Sequence, residues 1–310
     1  MSFFRYSGPV ILAALALPIV QAEPRCPGNV TSLPLRFIQS SLIVVSVRLN
    51  HAGPFDFVVD TGAQISTVDA SLALELGLKA EGTTGSGGVA IFSRSEFAHI
   101  ELLEVGDRSV RDSLAVFRDV ADLRAADPRI RGILGDSFLE HFDLVIDNHH
   151  KILCLDDTNS MASAFKADHI GLADPLGSNS DLPFTRPLII AARVAGSSDN
   201  PMLLRLDSGS NAAVIYSPPT RLLNAAGESA SSLVRVVDGK RQGFRVLPAL
   251  ELHIGKHTIP QVTFVVPMDS IGRGPSARED GILPTMAFQR VLISSAGHYA
   301  AVESWEEERL

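Results

Sequence analysis

The chain has 310 residues, 45% apolar and 20% charged, with 24 Gly and 18 Pro. That is enough apolar material for a large core and excludes disorder, a collagen-like fibre and a small disulfide scaffold. Lys and Arg number 27 against 35 acidic residues, a formal charge of −8, which is the wrong sign for gripping phosphate backbones and excludes nucleic acid as an expected partner. At roughly 100 to 200 residues per domain, the length favours two domains.

Residues 1–22 read as a secretory signal: Arg5 is the positive flank, Pro9 to Val20 the apolar run, and Val20-Gln21-Ala22 the small-residue cleavage site. The run is about 12 residues where a span needs roughly 20, and no later stretch reaches that span length without a charge, so no stable membrane span is expected after signal removal. The alternative is an uncleaved N-terminal anchor. Cleavage leaves a mature chain beginning at Glu23, acidic overall and exported, either periplasmic or secreted. Cys26 and Cys154 are the only cysteines; an oxidising compartment permits them to pair, but the sequence does not establish that they do. Glu-Pro-Arg before Cys26 argues against lipid attachment.

Beyond Cys26 the chain is a series of short runs rich in Val and Ile, separated by Gly, Asp and Pro. Strands are expected at Leu42 to Leu49, Phe55 to Val59, Val89 to Phe92, Ser113 to Phe117, Leu144 to Ile146 and Val262 to Val266. Helices are minor: Asp69 caps one over 70–76 that Gly77 ends, and Ser217-Pro218 opens another that stops at Gly227. Residues 156–186 lack periodicity and form the expected linker between an N-terminal lobe, 23–155, and a C-terminal lobe, 187–310.

A repeat carries this division. Phe55 to Gly62 ends in Asp60-Thr61-Gly62, and Met202 to Gly209 ends in Asp207-Ser208-Gly209. Gly132-Ile133-Leu134-Gly135 returns as Gly281-Ile282-Leu283-Pro284, 72 residues after the Asp in the first copy and 74 in the second. Between them, Leu102 to Asp107 matches Leu250 to Gly255 as a strand running into a turn.

Each Asp ends an apolar strand, where a lone charge is costly unless paired. If the copies face each other across a pseudo-two-fold axis, Asp60 and Asp207 meet and share one proton. The ionised member then takes a proton from water, the protonated member polarises a carbonyl, and the water attacks the amide carbon. Thr61 and Ser208 supply hydroxyls to bind the lobes together, while Gly62 and Gly209 let the backbone fold tightly beneath the carboxyls. No metal or cofactor is required.

These residues resemble the pepsin and retropepsin superfamily of aspartic proteases over nearly all of residues 35–305. Asp60-Thr61-Gly62-Ala63 is similar to the retroviral triplet, and Gly132 to Gly135 to the element packed behind it. The resemblance implies a mainly β fold of two pseudo-two-fold related β-barrel lobes with a few short helices and an active cleft between them. It also implies a monomeric aspartic endopeptidase with peptide or protein substrates. It further places a substrate-covering flap at Gly82 to Phe92, with Gly85, Gly87, Gly88 and Phe92 as candidate contacts; an ordinary mobile hairpin is the alternative. The flap has no Tyr, as in the retroviral pattern, and the stretch from Glu23 to Leu35 is short for an inhibitory pro-segment.

Two departures lie in the second lobe. Pro284 removes a backbone donor, and Arg205, two residues before Asp207, either lowers a carboxylate pKa or lies at the lobe surface with its own acidic partner. If they spoil the dyad, the chain is an inactive two-lobed peptide-binding protein. His149-His150 and His253 with His257 lack the acidic or thiolate groups to complete a metal site. A Gly-x-Ser-x-Gly elbow and a dinucleotide-binding context are both missing. Glu303 to Arg309 reads as a solvated tail.

Overall fold

The computed structural model describes residues 26, 30, 32–39, 41–87, 92–156, 160–161, 165, 168–173, 187–195, 200–218, 222–224, 231–237, 240–268 and 279–305. The expected signal, Gly88 and most of the expected linker lie outside them. The fold is mainly β. Leu42–Leu49 shows why: its central and terminal apolar residues are buried while Ser46 and Arg48 face out, the alternation of a strand with one face on a core.

The first lobe is an eight-stranded sheet ordered Arg36–Ile38, Leu42–Leu49, Ala52–Val59, Ile130–Leu134, Ser66–Asp69, Arg108–Arg118, Phe92–Val105, Gly82–Gly87. Leu42–Leu49 also pairs with Phe92–Val105, which curls the sheet back on itself. The strand bearing Asp60 runs parallel to Ile130–Leu134, with Val59 beside Leu134. Ser66–Asp69 flanks Ile130–Leu134 from the other side.

The second lobe repeats these pairings within a nine-stranded sheet. Met202–Asp207 runs parallel to Gly281–Pro284, with Leu206 beside Leu283. Ala213–Ile215 takes the place of Ser66–Asp69. Ile189–Val194 pairs with Leu250–Ile254 where Leu42–Leu49 pairs with Phe92–Val105. The hairpin turns that follow, at Gly106 and Gly255, have φ of 62° and 59°, a left-handed conformation that glycine adopts without steric penalty.

A third sheet joins the lobes, ordered Ser32–Pro34, Ile152–Asp156, Asp143–Asp147, Arg290–Ser294, Tyr299–Glu303, Ile170–Gly171. At its centre Val145 pairs with Leu292 across the lobe boundary. Thr61 and Ser208 are 147 residues apart, the same separation as Val145 from Leu292, so one pseudo-two-fold axis relates both pairs. Asp143–Asp147 is buried at every residue, as expected of a strand covered on both faces. One core cluster runs from Phe57 and Phe138 in the first lobe through Ile146 and Val291 to Phe264 and Phe288 in the second.

The expected linker is therefore not wholly a connection, because Ile170–Gly171 adds an edge strand beside Tyr299–Glu303. The helix expected over 70–76 is Ala70–Glu75, with the Asp69 carboxylate accepting from Ser71 N at 3.0 Å. Of the helix expected after Ser217, residues 222–224 are helical and the rest lies outside the described residues. Two short helices were not foreseen, Ala121–Ala126 and Asp136–Leu139.

Cys26 and Cys154 form a disulfide, closing a separation of 128 residues and fastening the N-terminal segment to the shared sheet. Replacing both by Ala is expected to lower stability by about 2–5 kcal/mol, measured by urea unfolding; unchanged unfolding would show that the bond constrains nothing.

Candidate active site

Asp60 stands where its strand leaves the sheet, its N–H donating to Leu134 O at 2.9 Å. Asp207 stands at the matching place, beside Pro284 and 8% exposed. The carboxyls of Asp60 and Asp207 hydrogen-bond to each other across the lobe boundary. The two copies of the repeat thus meet at their acidic residues.

Four cross-lobe hydrogen bonds beneath the carboxyls fix this approach. Thr61 Oγ1 donates to Leu206 O at 2.9 Å and Ser208 Oγ to Val59 O at 2.8 Å. Each hydroxyl also accepts from the partner turn: Ser208 N donates to Thr61 Oγ1 and Thr61 N to Ser208 Oγ, both at 3.1 Å. Thr61 and Ser208 are buried, so losing either hydroxyl leaves buried backbone groups unpaired.

The glycines make room for the carboxyls. A Cβ on Gly62 would lie 2.5 Å from Asp207 Oδ2, and one on Gly209 would lie 2.5 Å from Asp60 Oδ2. Their amides are used too: Gly62 N donates to Asp60 Oδ1 and Gly209 N to Asp207 Oδ1, each at 2.8 Å.

Burial raises the pKa of both carboxyls. Asp60 stays above its ordinary value because burial outweighs the N–H group of Gly62, the hydrogen bond from Asp207, the charge of Arg205 and the N–H group of Ala63, which all pull it down. Asp207 is pushed well above the usual carboxylate range, because the Asp60 charge adds to burial and outweighs Arg205. The pair therefore retains one shared proton after ordinary carboxyls have ionised.

A raised folded-state pKa gives Asp207 a stability contribution that is complete below its unfolded value and lost as pH rises through its folded value. Asp207→Asn removes that ionisation. The variant is expected to melt at a higher temperature than the wild type at pH 7 but not at pH 3; a lower melting temperature at pH 7 would contradict the shift.

In the first lobe Gly135 N donates to Ser66 Oγ at 3.0 Å. The second lobe has Pro284 in place of Gly135, and Ala213 in place of Ser66, so the missing donor faces no waiting acceptor. Arg205 does have its own acidic partner, Glu279, with Nε donating at 2.8 Å. It does not lie at the lobe surface, however, because Nη1 reaches across to Gly62 O at 2.7 Å.

The hairpin expected as a flap is formed by Gly82–Gly87 and Phe92–Val105, with Gly85 opposite Arg94 and Gly87 opposite Phe92. Gly88 lies outside the described residues. The second lobe has a corresponding hairpin, Ser232–Val237 with Lys240–Val246, which the sequence reading missed although Asp238-Gly239 between apolar strands is a turn signal. Glu279 and Tyr216 were missed as well. Aligning Ile130-Arg131-Gly132 with Glu279-Asp280-Gly281 exposes Glu279 as an acidic residue where the first copy is apolar.

Of the His groups set aside, His150 Nδ1 lies 2.9 Å from Asp147 and His253 Nδ1 lies 3.1 Å from Thr258 Oγ1. Among the described residues, no helix is long and apolar enough to cross a membrane.

Residues 45–138 match the model of a family described as aspartyl protease. No match was found among curated proteins. The matched segment carries Asp60-Thr61-Gly62 and the strands that hold it, and the second lobe repeats their pairing around Asp207-Ser208-Gly209. Over residues 45–138 the chain is similar to the aspartyl protease family.

Proposed function

We propose that the protein is an aspartic endopeptidase that hydrolyses peptide bonds with a water activated between Asp60 and Asp207. The observation that carries this reading is the hydrogen bond between two carboxyls that burial and mutual repulsion leave with one proton. The Asp60 carboxylate takes a proton from the water as its oxygen bonds to the scissile carbonyl carbon, and Asp207 gives its proton to the carbonyl oxygen. The resulting diol collapses as Asp60 passes its proton to the amide nitrogen and Asp207 takes one back from a diol hydroxyl; the C–N bond breaks, and acid and amine products leave with the dyad restored. The hairpins from the two lobes cover the bound peptide.

The second reading, an inactive peptide-binding protein, required a wide carboxyl gap or Arg205 inserted between the acids. The contact between the carboxyls and the placement of Arg205 on Glu279 and Gly62 favour catalysis instead. The expected leader and the Cys26–Cys154 bond support export to an oxidising compartment. Both acids come from one chain, which supports a monomer.

Purified residues 23–310, incubated with an unbiased peptide mixture across pH 3–7, are expected to cleave internal bonds with a bell-shaped pH dependence. Activity falls at low pH as Asp60 gains a proton, and at high pH as Asp207 loses its own. Peptide binding without cleavage at any pH would identify a receptor instead.

A further inference from the structure

Beside the dyad the two lobes differ. Val58 and Ile130 of the first lobe pack in an apolar cluster with Ile38, Leu42 and Val44. At the equivalent places of the second lobe stand Arg205 and Glu279. Glu279 is 4% exposed, accepts from Arg205 Nε at 2.8 Å and lies 2.6 Å from Nη2. It also accepts from the Tyr216 hydroxyl at 3.4 Å. A buried ion pair contributes little net stability over an aliphatic contact of similar volume, so packing alone gives no reason for the exchange.

The remaining arm of the guanidinium supplies one. Arg205 Nη1 donates to Gly62 O at 2.7 Å, and the same Gly62 donates its N–H to Asp60 Oδ1 at 2.8 Å. On its own strand Arg205 is two residues before Asp207 and projects to the same side. It therefore touches the turn that holds one acid and neighbours the other.

We propose that Arg205, held by Glu279 and Tyr216, is a positioning residue for the dyad: it ties the Asp60 turn to the second lobe and supplies the fixed positive charge against which the two carboxyls divide their proton. This rests on the dyad reading above. Arg205 acts on both carboxyls, and the Asp60 charge acts on Asp207. Glu279, Tyr216 and Asp207 act on Arg205 in turn, and the first lobe presents the N–H groups of Gly62 and Ala63. Arg205 favours the ionised form of both acids, and Glu279 tempers it.

The test follows Arg205→Met, Arg205→Lys and Glu279→Gln by two readouts: the pH profile of kcat/KM, and the carboxyl titration of the pair by carbon-13 NMR, which requires no activity. Arg205→Met is expected to move both limbs of the profile and both titration steps upward by about 1–3 pH units. Glu279→Gln is expected to move them downward. Arg205→Lys, which keeps the charge, is expected to stay near the wild type even if it melts earlier. Profiles and titrations that coincide with the wild type, or that shift the same way in Arg205→Met and Glu279→Gln, would reduce the network to a structural clamp and overturn the proposal. A wild type that titrates as expected but cleaves nothing would fail the proteolytic reading while leaving the role of Arg205 decided by the titrations.

Discussion

Asp60→Asn and Asp207→Asn are each expected to lower kcat for peptide cleavage by roughly 100- to 10,000-fold, the range that a positioned acid or base contributes. KM should change far less, because the substitutions are nearly isosteric and the cross-lobe bonds of Thr61 and Ser208 do not involve the carboxyls. The two losses have different causes. In the first variant the new side-chain amide cannot take a proton from water, although its oxygen still accepts from Gly62 N. In the second, Asp60 keeps its charge but has lost the neighbouring carboxylic proton that polarises the substrate carbonyl. Since the acids act as one unit, the double variant is expected to be about as slow as either single one rather than slower by the product of the two. Steady-state kinetics on a peptide found to be cleaved by the wild type measures this. A variant within a few-fold of the wild type would remove that residue from the mechanism.

The next largest effect is expected from Gly209→Ala. The added Cβ would lie 2.5 Å from Asp60 Oδ2, well inside contact distance, so the carboxyl or the turn must move. A displacement of about 1 Å in a catalytic group costs on the order of 100-fold in rate, and kcat is expected to fall by that amount. Gly77→Ala is the control. Gly77 has φ of +66° with nothing within 4 Å of its Cβ position, so the substitution strains the backbone and lowers stability by about 1–2 kcal/mol while kcat stays unchanged. Equal kinetic losses in both variants would indicate that any strained glycine slows the enzyme, and that the space around Asp60 is not the reason.

These effects centre on residues that are legible in the sequence. Asp-Thr-Gly and Asp-Ser-Gly at near-equal distances from two Gly-Ile-Leu elements reveal a duplication, and a duplication with an acid at each strand end already implies a facing pair. The parallel registers of Val59 with Leu134 and of Leu206 with Leu283 are that repeat expressed as hydrogen bonds. The Asp69 cap was readable for the same reason: it is a local pattern whose physics is complete within a few residues.

What escaped the sequence depends on contacts between distant segments. Nothing local in Asp143–Asp147 or Arg290–Ser294 announces that each will take the other as a neighbour across the lobes. Ile170–Gly171 is too short for periodicity to register, and it forms a strand only because Tyr299–Glu303 offers an edge. Asp136–Leu139 is a single turn fixed by Phe138, which is fully buried. Arg205 was visible, but its direction was not. A charged side chain two residues before the acid reads as a surface group with its own acidic partner or as a perturbing one, and the structure joins parts of both: Glu279, 74 residues away, is the partner, and the bond to Gly62 O keeps Arg205 beside the dyad.

The dyad mechanism stands or falls on where the new carboxyl oxygen comes from. A single turnover of the wild type in oxygen-18 water, with excess enzyme over a cleavable peptide, measures it by mass spectrometry of product and protein. Direct attack by the water held between Asp60 and Asp207 predicts one labelled oxygen in the new C-terminal carboxyl from the first turnover and no peptide bound covalently to the chain. An unlabelled first product, with label appearing instead in an enzyme carboxyl, would show that a side chain attacked the peptide bond and would contradict the dyad mechanism.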